Sequence, residues 1–145
     1  MATKSERPDL SEKYSTDAET WLQWADHTHA GARTLFESQN PLLWFGAAIL
    51  GHQALEMYLK GALIRQGYRI GGEDIWGHNL VELATKLQGK VNSLPTRLME
   101  DLQVFTDYFN ELRYPGELVH VEGLGQEEGA ILENLVQSLR PFAKG

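Results

Sequence analysis

The chain has 145 residues, 42% of them hydrophobic, which is enough to bury the core of one domain. It has no cysteine, which excludes disulfides and thiolate-bound metals and fits a reducing cytoplasm. Its net charge is −7, and from Arg97 to Gly145 nine acidic residues outnumber four basic ones, which excludes broad tracking along phosphates.

The amino terminus, residues 1–15, alternates charges and hydroxyls without an apolar run and reads as a flexible tail ahead of a single domain over 16–145. Thr16 with Glu19 has the form of a capping box, after which Trp21, Trp24, Ala25, Thr28, Ala32, Leu35 and Phe36 recur at helical spacing to about Ser38. Asn40-Pro41 opens a second helix, which Gly67 closes. Its apolar stretch from Pro41 to Leu55 is shorter than a bilayer span, so no membrane segment is expected. Gly71-Gly72 and Trp76 describe a surface loop with one aromatic anchor.

Asn79 with Glu82 starts a short third helix carrying Leu80, Leu83, Ala84 and Leu87 on one side. In the fourth, Leu94, Leu98, Leu102, Phe105, Phe109 and Leu112 keep steps of three and four, and Pro115-Gly116 ends it. Glu127 and Glu128 begin a fifth helix lined by Ile131, Leu135 and Leu139, with Arg140 near its end matching the helix dipole. Strand signals are scarce. The expected fold is all-α, an up-and-down antiparallel bundle of about five helices.

The second helix holds the main functional signal. His52, Glu56 and Lys60 fall at i, i+4 and i+8 in one narrow arc that they share with Phe45, Ile49, Leu59 and Leu63. Leu43, Ala47, Leu50, Ala54 and Met57 make the opposite side equally apolar, so the helix is central and its polar groups are screened from water. Glu56 ahead of Lys60 is the favourable orientation for an ion pair. His52, Gln53, Glu56 and Lys60 are therefore either a ligand site or a buried polar network. His78 reads as a helix-start residue. His27 and His29 face different ways on their helix, so no metal site is expected, and no cofactor either. Neither a phosphate-binding glycine loop nor a nucleophile elbow is present.

The block His52-Gln-Ala-Leu-Glu-Met-Tyr-Leu-Lys60, the His78-Asn79-Leu80 helix start and Leu112-Arg113-Tyr114-Pro115 together resemble the HEPN family of helical domains, from about Asp17 to Leu139. Arg-Tyr-Pro resembles one branch of that family. The resemblance implies a homodimer, often encoded beside a minimal nucleotidyltransferase in toxin–antitoxin modules. It also implies, for many members, a metal-independent ribonuclease in which an arginine and a histidine four to six residues later flank the scissile phosphate.

Arg113 and His120 have a compatible spacing, although Tyr114 and Pro115 stand where active members carry a small polar residue. Arg113 could clamp a phosphate and stabilise a phosphorane, or serve structurally by pairing with Glu56 or capping its helix. His120 could move protons. Tyr114 joins the candidate ligand residues with His52, Gln53, Glu56 and Lys60.

Two readings result. One is a regulatory module that binds a nucleotide or a partner protein. The other is an endoribonuclease with Arg113 and His120 at a composite dimer site. No DNA partner is expected, and any RNA contact would be confined to a local pocket.

Overall fold

The computed structural model describes residues 10, 11, 13–72, 74–112 and 125–145. Among them the chain forms α1 (Ala18–Glu37), α2 (Trp44–Arg65), α3 (Leu80–Val91), α4 (Thr96–Leu112) and α5 (Gln126–Lys144), with no strand. At α1 and α3 the boundary follows a side chain able to satisfy free N–H groups of the first turn. Asp17 caps α1, accepting from the Glu19 N–H at 3.3 Å and from the Thr20 hydroxyl at 3.0 Å. The cap is thus one residue later than the expected Thr16, because the Asp17 carboxylate reaches both donors while the Ser15 hydroxyl accepts the Asp17 N–H at 3.0 Å.

Asn79 caps α3 through the Glu82 N–H, as the spacing predicts, and at the start of α5 the Glu128 side chain reaches back to the Gly125 N–H. Pro41 forms a single 3₁₀ turn capped by Asn40, and the α-helix begins at Trp44. Of the residues assigned to the tail, 1–9 and 12 lie outside the described set. Leu10 donates its N–H to the Ile70 carbonyl, and the Ser15 carbonyl accepts the Trp21 indole N–H.

Thirteen of the 22 residues of α2 are buried, so this helix has almost no solvent face of its own. Glycines let its neighbours come close. A Cβ at Gly31 would touch Leu50, one at Gly46 would touch Leu35, and one at Gly61 would touch Trp21, which sets α1 antiparallel to α2. Gly51 faces Leu132 and Gly61 faces Ala143, so α5 runs parallel to α2 and antiparallel to α1.

The Tyr108 hydroxyl meets Glu128 near the start of α5, which turns α4 against both α2 and α5. The expected up-and-down alternation is carried by α1, α2, α4 and α5, and α3 occupies the link between α2 and α4. In that link the backbone of Ile70 and Gly71 pairs with Ile75, and Ile70 and Ile75 are both buried. The loop is therefore pinned by two isoleucines, with Trp76 only half-buried, because both isoleucine side chains can enter the core from one tight turn.

Gly51 is where the packing is tightest. A methyl group there would lie 2.9 Å from Phe105 and 3.3 Å from Leu132. Alanine is worth up to about 1 kcal/mol over glycine in an exposed helix, but overpacking a closed core costs about 1–3 kcal/mol. Gly51→Ala is expected to lower the thermal midpoint, read by circular dichroism, while Gly89→Ala, with no atom in reach of its Cβ, leaves it equal or higher.

Candidate functional site

The polar arc of α2 closes on Glu56. Its side chain is 13% exposed, and Lys60, 10% exposed, donates from Nζ to Oε2 at 2.9 Å, which is the i to i+4 pair the sequence predicts. The other oxygen, Oε1, lies 2.8 Å from His78 Nδ1. His78 sits just ahead of α3 and brings the second partner from 22 residues away. Burial works to raise the Glu56 pKa, but the His78 hydrogen bond and the Lys60 charge outweigh it, and the carboxyl is held below its usual range.

His52 is fully buried one turn earlier. Its Nε2–H donates to the His78 carbonyl at 2.8 Å, and its ring stacks on Phe109 with centroids 4.1 Å apart. This leaves Nδ1 buried with no hydrogen-bond partner among the described residues, 3.9 Å from Glu56 Oε1. Burial pushes the imidazole pKa down to about 4, against the pull of Glu56, so the ring is neutral at physiological pH. Gln53 lies off this arc and is exposed.

A second polar cluster joins α1 to α5. Arg140 clamps Asp26 through two bonds of 2.9 and 2.8 Å, and the Tyr58 hydroxyl donates to Asp26 at 2.6 Å from α2 below. Two turns along, Arg33 binds both oxygens of Glu133 at 2.9 and 3.1 Å, with His29 Nε2 also at 2.9 Å. The Arg140 bond holds the Asp26 carboxyl below its ordinary value against burial, and the Arg33 bond does the same for Glu133. Burial and Asp26 push the Tyr58 phenol upward. These groups line an open cleft of about 670 Å³.

The chain matches the family described as HEPN domain over residues 18–142. The chain belongs to the HEPN family. The crystal structure of TT1696 from Thermus thermophilus is similar to it, with a TM-score of 0.64 and 25% identity over 88% of this chain and 95% of that one. No curated protein matches.

Within this HEPN domain, Arg113, Tyr114 and His120 lie outside the described residues. The helix leading to them does not: α4 ends at Leu112, and Phe109 on its last turn touches the rings of both His52 and His78. Among the described residues no cluster of three or more metal-binding side chains is present, and no helix is long and apolar enough to cross a membrane. The sequence reading missed His78 as a partner of Glu56, and missed Asp26, Arg33, Tyr58 and Glu133. Arg140 was assigned to the helix dipole, whereas it clamps Asp26. The one available signal was the run of charges on α1 and α5, whose pairing depends on helix direction.

The burial of His52 makes stability depend on pH. Its folded pKa lies near 4 and its unfolded value near 6.5, so the unfolded chain takes up the proton first. Stability is then full above about pH 6.5 and falls towards pH 4, by roughly 3 kcal/mol at most for this group. Glu56, Asp26 and Glu133, all lowered, extend the loss below the ordinary carboxylate range. His52→Gln is expected to flatten the curve of thermal midpoint between pH 6.5 and 4. An unchanged slope in that variant would show that other groups set it.

Proposed function

We propose that this HEPN domain is a homodimeric regulatory module of the toxin–antitoxin type that binds a nucleotide or a partner protein, with a minimal nucleotidyltransferase as its natural companion. One observation carries the reading. The Glu56 carboxylate is held between Lys60 and His78 with His52 buried beside it, and the most exposed of these side chains is His78, whose ring packs against Phe109 on the last turn of α4 and forms the cluster's outlet. A structural ion pair needs no such outlet, whereas a recognition site does.

In a binding module, Arg113 and Tyr114, which follow α4 in the sequence, would supply phosphate-directed donors. The surplus of acidic residues confines the contact to this neighbourhood and argues against extended nucleic acid.

A second reading, the metal-independent ribonuclease, is favoured by the spacing of Arg113 and His120 immediately after α4. Arg113 would stabilise the phosphorane and His120 would move protons, with both subunits contributing. Light scattering is expected to give the mass of two chains. Titration with ATP and with a short labelled RNA is expected to give saturable binding that weakens at least about tenfold in Arg113→Ala. A monomer that binds neither would overturn the module. Cleavage of the RNA in chelator, lost in both Arg113→Ala and His120→Ala, would establish the nuclease in its composite form.

A further inference from the structure

Both oxygens of each carboxylate in the cleft between α1 and α5 are engaged. Asp26 Oδ1 accepts from the Tyr58 hydroxyl and from Arg140 Nε, and Oδ2 accepts from Arg140 Nη2. Glu133 Oε1 accepts from Arg33 Nε and His29 Nε2, and Oε2 accepts from Arg33 Nη2. The arginines keep more in hand. A guanidinium has five N–H groups and each clamp uses two, so three remain on Arg33 and three on Arg140, whose side chains are 50% and 40% exposed.

Lys144, one helical turn beyond Arg140 on α5, lines the same cleft and forms no ion pair among the described residues. The unspent hydrogen-bonding capacity of the cleft therefore lies mainly in donors carried by cations. Holding the register of α1 against α5 asks for none of this, because two clamps do that with the helices in contact. Here they stand over an open space of about 670 Å³, a size that suits a small molecule, with Ala30, Val136 and Pro141 as apolar wall. A carboxylate that grips the Nε side of a guanidinium also fixes the direction of its free edge, which is how supporting groups prepare a binding side chain.

The two ends of the cleft differ in charge. At one, Arg140 and Lys144 face the single carboxylate of Asp26. At the other, Arg33 stands between Glu133 and Glu37, with which it lines a neighbouring hollow. The excess positive charge is thus at the Arg140 end, in a chain whose net charge is −7. A phosphoryl group uses that end best, since it brings up to two negative charges and three acceptor oxygens where a carboxylate brings one charge and two oxygens.

We propose that the α1–α5 cleft is a binding site for a small phosphate monoester. The phosphoryl group is held by the free edge of Arg140 and by Lys144 Nζ, and the organic part lies along Ala30 and Val136 towards the free N–H groups of Arg33. Asp26 and Glu133 are positioning residues, each acting through the arginine it clamps. The site shares no residue with the Glu56 cluster, so it stands or falls apart from the function proposed above.

The experiment titrates the full-length protein with glycerol 3-phosphate, with succinate, and with sodium chloride at matched ionic strength, followed by calorimetry and by amide shifts in NMR spectra. Glycerol 3-phosphate is expected to bind saturably at millimolar concentration and to shift Ala30, Val136 and Lys144. Lys144→Gln is expected to weaken that binding by about tenfold while leaving the thermal midpoint unchanged, because Lys144 takes no part in the helix pairing. Arg140→Lys keeps the charge but loses the planar fork, and is expected to weaken binding as well. Saturation no better than with chloride overturns the site. So does binding that is indifferent to Lys144→Gln, or that shifts residues around His78 instead of the cleft. Succinate bound as tightly as glycerol 3-phosphate overturns the phosphoryl assignment.

Discussion

A carboxylate on the most enclosed helix of a bundle must be neutralised where it sits, and in this protein the meeting of α2, α3 and α4 is organised around that need. Glu56 is largely withdrawn from water, and an unpaired charge there would be costly. Lys60 supplies one partner from the same helix at no topological cost. The other comes from the entry to α3, and this ties the direction of the link between α2 and α3 to a single hydrogen bond. His52 then fixes the backbone of that entry, and Phe109 covers both rings from α4. One buried charge thus sets the register of three helices.

Elsewhere the bundle separates its two kinds of adhesion. Inside, α2 meets α1, α4 and α5 through leucine, alanine and phenylalanine, with glycine wherever the helices come closest. At the rim, α1 and α5 are joined by two arginine–carboxylate clamps pointing in opposite directions, Arg140 to Asp26 and Arg33 to Glu133. The bidentate geometry specifies register more than it adds stability, since the pairs are partly solvated. Tyr58 links the two levels by reaching from the core to Asp26. The HEPN fold here therefore has one polar centre that is enclosed and one that is open. The enclosed centre is most exposed at the His78 ring, beside Phe109 on the last turn of α4.

Much of this was legible in the residues because helical periodicity and capping are local. The steps from Leu94 to Leu112, the Asn79 cap, the proline at the start of the second helix and the Glu56–Lys60 pair all involve residues within a turn or two of each other. Thr16 yielded to Asp17 because the choice between adjacent capping residues depends on which oxygen reaches two donors at once. His78 was read as a helix-start residue, which it is, but nothing in its neighbours states that a glutamate 22 positions earlier faces it. Arg140 and Asp26 lie 114 residues apart, and their pairing follows only once α5 is known to run against α1. Gln53 is exposed because one step along a helix turns a side chain by about 100°, enough to leave the polar arc.

The parallel placement of α5 along α2 also bears on how the molecule is made. The face of α2 at Gly51 and Gly61 is covered by Leu132 and Ala143 of α5, so a nascent chain that has extruded only α1 to α4 leaves the greasiest helix partly open to water. During synthesis α1 and α2 can associate as a local hairpin, but enclosure waits for the last helix to leave the ribosome. That interval is when chaperones have most to hold, and a stall in translation before α5 would yield a product prone to aggregation rather than a smaller working bundle.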